Sequence, residues 1–331
     1  MNGFQKGDDL SQAYAALGRL TMFAAAPPEE VEISRLSNSF TNSSYRVDIN
    51  GDSFLLRLSG KDSSEYIDRA AEEYNARIAA RLGVNAEVLF FDAADGTMVC
   101  RFLEGVGMDA ESFLRDPTAP ARAALALRRI HASGRAFKHR FDPFEKIEAY
   151  LDLLRELRSP LPNDLDEVLK EAWSACWALD SLSIPLAPCH NDPWPGNFVD
   201  SGGRMRLVDW EYSGMNDPMW DLADLSVEAG LSPSREWAML EAYFEGPPPE
   251  DASLRLAVYK VMSDLLWSLW ALLQNANGNQ AEDFFAYALV RYERCKRAME
   301  DGFRGCHSPR RPRRASRQGF REGGVGELRR R

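Results

Sequence analysis

The stretch 189–210, CHNDPWPGNFVDSGGRMRLVDW, decides how the rest of the chain is read. Its second half alternates apolar and polar residues on either side of Gly202-Gly203, the pattern of two short strands joined by a tight turn. Its first half gathers His190, Asn191, Asp192 and Asn197 around Pro193, Pro195 and Gly196, residues that break regular structure and leave a polar loop. Asp209 ends the returning strand MRLVD. The turn folds the two strands back together, so Asn197 and Asp209, twelve residues apart, can meet one ligand from opposite sides of the hairpin.

Outward from this island the chain reads as helix on both sides. The apolar spacing predicts helices over about 119–132, 144–158, 163–180, 232–245, 253–275 and 280–300, with another starting near Pro218. Before Gly105 the pattern changes. VEISRL, SYRVDI, SFLLRLS, AEVLFFD and TMVCRFL read as strands, the second and third joined by Asn50-Gly51 and the last two by Asp95-Gly96. Helical periodicity over 9–24 precedes them, and a helix over about 66–82, closed by Gly83, is inserted among them. The expected fold is α+β and two-lobed. Residues 1–104 form a small antiparallel lobe with one helix, 105–302 a larger, mainly helical lobe, and 303–331 a disordered Arg-rich tail. The cleft between lobes is the default ligand site.

The loop carries a specific chemistry. An H-x-D frame followed by four residues and Asn has the spacing of a kinase catalytic loop. Phosphoryl transfer from ATP needs a carboxylate to orient the attacking hydroxyl and accept its proton, the part read for Asp192. It also needs oxygen donors for Mg²⁺, a hard cation, and Asn197 and Asp209 supply an amide oxygen and a carboxylate. His190 is read as positioning the loop rather than moving a proton.

HNDPWPGNF and LVDWEYSGMNDPMWDLA resemble the choline/ethanolamine kinase family, within the larger aminoglycoside-phosphotransferase and protein-kinase-like group. The resemblance runs from RLSNSFTNSSYRV and FLLRLSG through LLWSLWALLQ, covering about residues 30–300 and not the tail. Pro193-Trp194-Pro195-Gly196 falls where the family varies. The resemblance implies a protein-kinase-like fold whose first lobe binds nucleotide and whose second carries catalysis and substrate. It implies that Arg57 contacts the triphosphate, partnered by Glu72 or Glu73. Ser37, Asn38, Thr41 and Asn42 would line a loop over the phosphates, although this loop lacks the glycines of G-x-G-x-x-G. Arg101, Phe102 and Leu103 would form the hinge that meets adenine. Glu211, Tyr212, Glu228, Trp267 and Trp270 would line the acceptor pocket, and Asp221 would bond to the catalytic loop.

A quaternary ammonium cannot donate a hydrogen bond, so its site uses aromatic faces and nearby carboxylates. Trp267 and Trp270, one helical turn apart, and Tyr212 beside Glu211 offer both, which makes choline the expected acceptor. Ethanolamine, thiamine, an aminoglycoside or another hydroxylated amine stays open within the same class. The tryptophan pair counts against an aminoglycoside, whose site would be acidic at the rim with few aromatics. A pseudokinase-like module that binds nucleotide or amine without turnover is the reading from a different class, disfavoured because Asp192, Asn197 and Asp209 are all present.

Composition agrees with this. The net charge is −10, but ten arginines and two glutamates give residues 303–331 a charge of +8, so the remainder carries −18. An acidic body suits a cationic substrate and makes a poor nucleic-acid binder. No basic region followed by an apolar run opens the sequence, and Leu265–Leu273 is short against the roughly 20 residues that span a bilayer. Neither nucleic acid nor membrane is expected as a partner. The five scattered cysteines show neither a zinc pattern nor a disulfide framework, which points to a reduced cytoplasm. An isologous homodimer is compatible with the sequence, though no segment demands one.

Overall fold

The computed structural model describes residues 6–23, 30–36, 42–60 and 67–302, apart from 181 and 183. Helix α1 (Lys6–Gly18) and a 3₁₀ turn (Thr21–Phe23) lead into β1 (Val31–Leu36), β2 (Ser43–Ile49) and β3 (Asp52–Leu58). At the β2–β3 turn Asn50 and Gly51 take φ of 53° and 83°, the left-handed pair that matches the twist of a two-residue hairpin. Helix α2 (Arg69–Arg81) follows, capped by Asp68 accepting from the Ala71 amide at 2.9 Å. Then come β4 (Val88–Phe91) and β5 (Met98–Arg101), completing an antiparallel sheet of order β1-β2-β3-β5-β4.

Alternation along β3 sorts the two faces of this sheet. Phe54 and Leu56 pack with Ala13, Leu17 and Phe23 of the N-terminal helical layer. Leu55 and Arg57, pointing the other way, line the cavity between the lobes.

Beyond the sheet, β6 (Val106–Gly107), α3 (Ala110–Arg115), α4 (Ala119–His131), α5 (Pro143–Glu156) and α6 (Leu165–Asp180) build the second lobe. The two strands read within 189–210 are β8 (Phe198–Asp200) and β9 (Met205–Leu207), and two short strands that the sequence did not mark, β7 (Ala187–Cys189) and β10 (Gly214–Asn216), flank them. β7 pairs with β10, and β6-β8-β9 form a second small sheet. Helices α7 (Pro218–Glu228), α8 (Pro233–Phe244), α9 (Ala252–Ala276) and α10 (Phe284–Gly302) finish the lobe.

α9 is the axis of this lobe and packs against α5, α6, α7 and α10. It is long and apolar enough, by length and composition, to cross a membrane, so the apolar stretch exceeds the expected Leu265–Leu273. Nearly all of that window is nevertheless buried inside the protein. Ser268, buried on this helix, is satisfied by α10, donating to the Ala288 carbonyl at 2.9 Å.

The crossing from the first lobe to the second is tight. The Ser201 hydroxyl donates to the Glu104 carbonyl at 2.6 Å, and Val106 pairs with Asp200. A Cβ on Gly105 would lie 2.5 Å from the Asp200 carbonyl oxygen, a backbone atom that cannot swing aside. Gly105→Ala should therefore lower unfolding free energy by about 1–3 kcal/mol, read as a lower urea midpoint. An unchanged midpoint would show that the crossing is looser than this geometry.

Candidate active site

The polar loop hangs from one buried carboxylate. Asp221, fully buried on α7, accepts from the backbone amides of His190 and Asn191, each at 2.8 Å. His131 Nε2 lies 2.9 Å from the same carboxylate, and its Nδ1 lies 2.9 Å from the Tyr243 hydroxyl. His131, Asp221 and Cys189 stand close enough to suggest a metal cluster. The histidine and the carboxylate are instead bonded to each other. Asn191 adopts φ of 69°, and its side chain holds that conformation by donating to the Tyr212 carbonyl and accepting from Asn216, both at 3.0 Å.

His190 is buried and held below the usual imidazole range by desolvation, so it stays neutral. Its Nε2–H donates to the Val208 carbonyl at 2.9 Å, and its ring meets Trp210 edge-on at 4.6 Å. These are contacts of a positioning group.

The hairpin brings Asn197 to Asp209 as its spacing requires. The Val208 amide donates to the Asn197 carbonyl at 2.9 Å, and Asn197 Nδ2 donates to the Asp192 carbonyl at 3.0 Å. Donation through Nδ2 leaves the Asn197 amide oxygen for another partner. Asp209 has φ of 64°, which takes it out of strand geometry. Its Oδ1 lies 3.1 Å from Arg57 Nη1. The amide oxygen of Asn197 and the carboxylate of Asp209 form a hard-oxygen donor set, which fits Mg²⁺.

Arg57 is 3% exposed, not a free strand residue. It pairs with Glu72, which settles the choice that the sequence left open. Glu73 lies about 100° further round α2 and binds Arg77 instead, at 2.9 Å. Although burial opposes it, Arg57 and then Arg69 hold the Glu72 carboxyl below its usual range. Arg69 also reaches Glu211 at 3.1 Å, and Asn42 donates to the same carboxylate at 3.2 Å. Glu211 thus joins the lobes rather than standing free at the pocket, and Asn42 is buried beside it. Ser37, Asn38 and Thr41 lie outside the described residues.

A cavity of about 300 Å³ opens between the lobes, with Leu36, Leu55, Phe102 and Leu103 on one side and Val199 and Val208 on the other. Arg57, Asn197 and Asp209 stand at its polar side. Phe102 and Leu103 of the expected hinge thus line it. Phe102 is pinned by its amide to the Ser53 carbonyl at 3.0 Å and by Arg46 over its ring at 4.5 Å. The Arg101 side chain turns outward to Asp52.

The aromatic residues also assemble. Tyr212 meets Trp267 edge-on at 5.2 Å, and Trp267 meets Trp270 at 6.0 Å. Asp224 joins them, a residue that sequence reasoning missed, as it missed Tyr287 nearby. Asp224 accepts from Ser263 and from Trp267 Nε1 (2.9 Å) through Oδ1, while its buried Oδ2 has no hydrogen-bond partner among the described residues. Burial and then Glu228 push the Asp224 carboxyl up to about 8. Tyr287, on α10, has its hydroxyl pushed up by burial, then by the charge of Glu228, with a smaller contribution from Asp192. A signal for Asp224 was present: Asp217, Asp221, Asp224 and Glu228 form an i, i+4, i+7, i+11 stripe on an otherwise apolar helix. Tyr287 had none.

Asp192 is partly buried, and burial followed by the charges of Asp224, Glu228, Asp209 and Glu211 holds its carboxyl well above the usual range. The site is a concentration of carboxylates beside an apolar cleft and an aromatic box. Its fitting occupants are cations and a group that carries them.

Comparison with known proteins agrees with that geometry. The model of the phosphotransferase enzyme family matches residues 32–256. Protein LicA of Haemophilus influenzae is 30% identical over 269 residues, covering 79% of this chain and 78% of the relative. A choline/ethanolamine kinase family protein from Mesorhizobium loti superposes with a TM-score of 0.79 at 43% identity, over 89% of this chain and 96% of that one. Choline kinase LicA from Streptococcus pneumoniae does so with 0.74 at 30%, over 88% and 98%. This chain belongs to the phosphotransferase enzyme family, as a small-molecule phosphotransferase of the choline/ethanolamine kinase type.

Proposed function

We propose that the protein transfers the γ-phosphoryl group of ATP to the hydroxyl of choline, giving phosphocholine and ADP. The observation that carries this reading is Asp224, with its unpartnered buried oxygen, beside Tyr212, Trp267 and Trp270 and within the field of Asp192. Aromatic faces and one carboxylate suit a quaternary ammonium. The relation to a choline kinase, LicA from Streptococcus pneumoniae, supports the same acceptor.

In this mechanism the choline oxygen forms a bond to the γ-phosphorus as the bond to the bridging β–γ oxygen breaks, and Asp192 takes the hydroxyl proton. Asn197 and Asp209 would hold Mg²⁺, which supplies charge stabilisation for the phosphates. Arg57, fixed by Glu72, meets the triphosphate, and Arg101, Phe102 and Leu103 border the base. His190 and Asp221 hold the loop in register. The free thiols Cys100, Cys189 and Cys295 agree with a cytoplasmic setting. Ethanolamine is the second reading, because the free Asp224 oxygen could accept a hydrogen bond from a primary ammonium.

ADP release from Mg-ATP, measured against choline, ethanolamine, thiamine, homoserine and kanamycin, should be strongest with choline. Turnover with another of these amines would keep the chemistry and move the acceptor, whereas silence across the panel would sink the proposal. Asp192→Asn should cut kcat by about 10²–10⁴ with ATP affinity little changed, since general-base catalysis is commonly worth that much. Retention of kcat within a few-fold would remove Asp192 from this role.

The pH dependence has a defined sign. Asp224 is raised toward 8, so it is neutral below that pH and loses its hold on the cation there. Choline does not titrate, so its KM should fall as pH rises through about 8 and Asp224→Asn should abolish that dependence, while a rising limb in kcat belongs to Asp192, whose carboxyl is also held high. A flat KM profile in the unsubstituted enzyme would contradict this assignment.

A further inference from the structure

Arg291 is a buried cation that the mechanism does not use. It lies on α10, 3% exposed, one turn after Tyr287, and its guanidinium sits 4.7 Å from the centre of that ring. It pairs with Glu228 of α7 and reaches Asp264 of α9 at 3.3 Å. Arg294 also holds Asp264, its Nε lying at 2.7 Å. Two carboxylates and two guanidiniums therefore form a neutral quartet behind the aromatic box. Asp224, one turn before Glu228, has only neutral hydrogen-bond donors among the described residues, Ser263 and Trp267.

We propose that Arg291 sets the number of positive charges the amine site accepts: by holding Glu228, it leaves Asp224 as the carboxylate that meets the substrate ammonium, and so restricts the site to monocations. The inference rests on the amine-phosphotransferase reading above. Its physical basis is desolvation. An ammonium leaving water needs a charged partner in the site, and Asp224 provides one. A second ammonium finds Glu228 already neutralised, so its loss of hydration goes uncompensated. Glu228 lies one turn after Asp224 on α7, its charge opposes the ionisation of both Asp192 and Asp224, and Arg291 pulls Asp224 back down. Without the guanidinium, Asp224 and Glu228 would offer two carboxylates one helical turn apart. Arg291 is thus a positioning residue: it acts through Glu228 and not on the reacting atoms.

The test compares a quaternary monoamine, (2-hydroxypropyl)trimethylammonium, with the matching diamine, 1,3-bis(trimethylammonio)-2-propanol, which differ by one permanently charged ammonium, as competitive inhibitors of choline turnover at pH 9, where the Asp224 carboxylate is ionised. The wild type should bind the diamine at least about tenfold more weakly, a gap of about 1.4 kcal/mol. Arg291→Gln should close or invert that gap, Arg291→Lys should keep it, and Arg291→Gln/Glu228→Gln should restore it, because the released carboxylate is gone. Thermal unfolding checks each variant. Should Arg291→Gln fail to fold, the double substitution, with neither group of the pair charged, still decides: it must show the wild-type ratio. An equal ratio in wild type and folded Arg291→Gln, or a double variant that takes the diamine as readily as the monoamine, overturns the inference and leaves the acceptor reading standing. A wild type that turns over no amino alcohol overturns both.

Discussion

Repulsion between carboxylates is the constraint on which this structure depends. Glu72, Asp192, Asp209, Glu211 and Asp224 are drawn together where the lobes meet, and each raises or opposes the ionisation of a neighbour. Arg57 and Arg69 are the buried cations set among them, and both come from the first lobe. Glu72 accepts from both arginines, Asp209 from Arg57, and Glu211 from Arg69. The ion pairs that neutralise the site are therefore also the ties between the lobes. Removing one partner of such a pair leaves an uncompensated buried charge, which costs about 3–5 kcal/mol. The charge left over after these pairings is what binding has to satisfy, and it calls for cations.

The scaffold tolerates this because the loop is over-determined. Asn191 and Asp209, both non-glycine residues at positive φ, flank the segment that carries Asp192 and Asn197. Each such conformation costs of order 1–3 kcal/mol when left to itself. Asn191 is held by Tyr212 and Asn216, and the two amides before Asp192 are held by Asp221. Asp221 in turn is aimed by the capped, buried start of α7, where Asp217 accepts from the Met219 amide at 2.9 Å. Rigidity is thus built from hydrogen bonds at a place where the chemistry needs fixed oxygens.

Much of this was legible in the sequence. Asn50-Gly51 gave away the first hairpin, and the twelve-residue separation of Asn197 and Asp209 around Gly202-Gly203 gave away their meeting. Periodicity marked the long helices. It could not mark β7 and β10, whose three residues each are too few to show alternation. Choosing Glu72 over Glu73 required the packing of α2 against the sheet, because the two glutamates are adjacent and either could face Arg57 until that phase is known. Glu211 read as a pocket residue because its partner Arg69 lies 142 positions away. Nothing in the sequence separates Arg291 and Tyr287 from the other positions of the helix expected over 280–300, and the packing of α10 on α9 is what buries Arg291. The acidic stripe along α7 was visible, but the bonds that separate a loop anchor, a free carboxylate and a paired one are tertiary.

A crystal structure with Mg²⁺, a non-hydrolysable ATP analogue and choline tests the central claim most directly. The account predicts the ammonium among Tyr212, Trp267 and Asp224, and the hydroxyl within hydrogen-bond reach of Asp192. It predicts the metal between Asn197 and Asp209. Choline bound elsewhere, or bound with its hydroxyl turned away from Asp192, would contradict it.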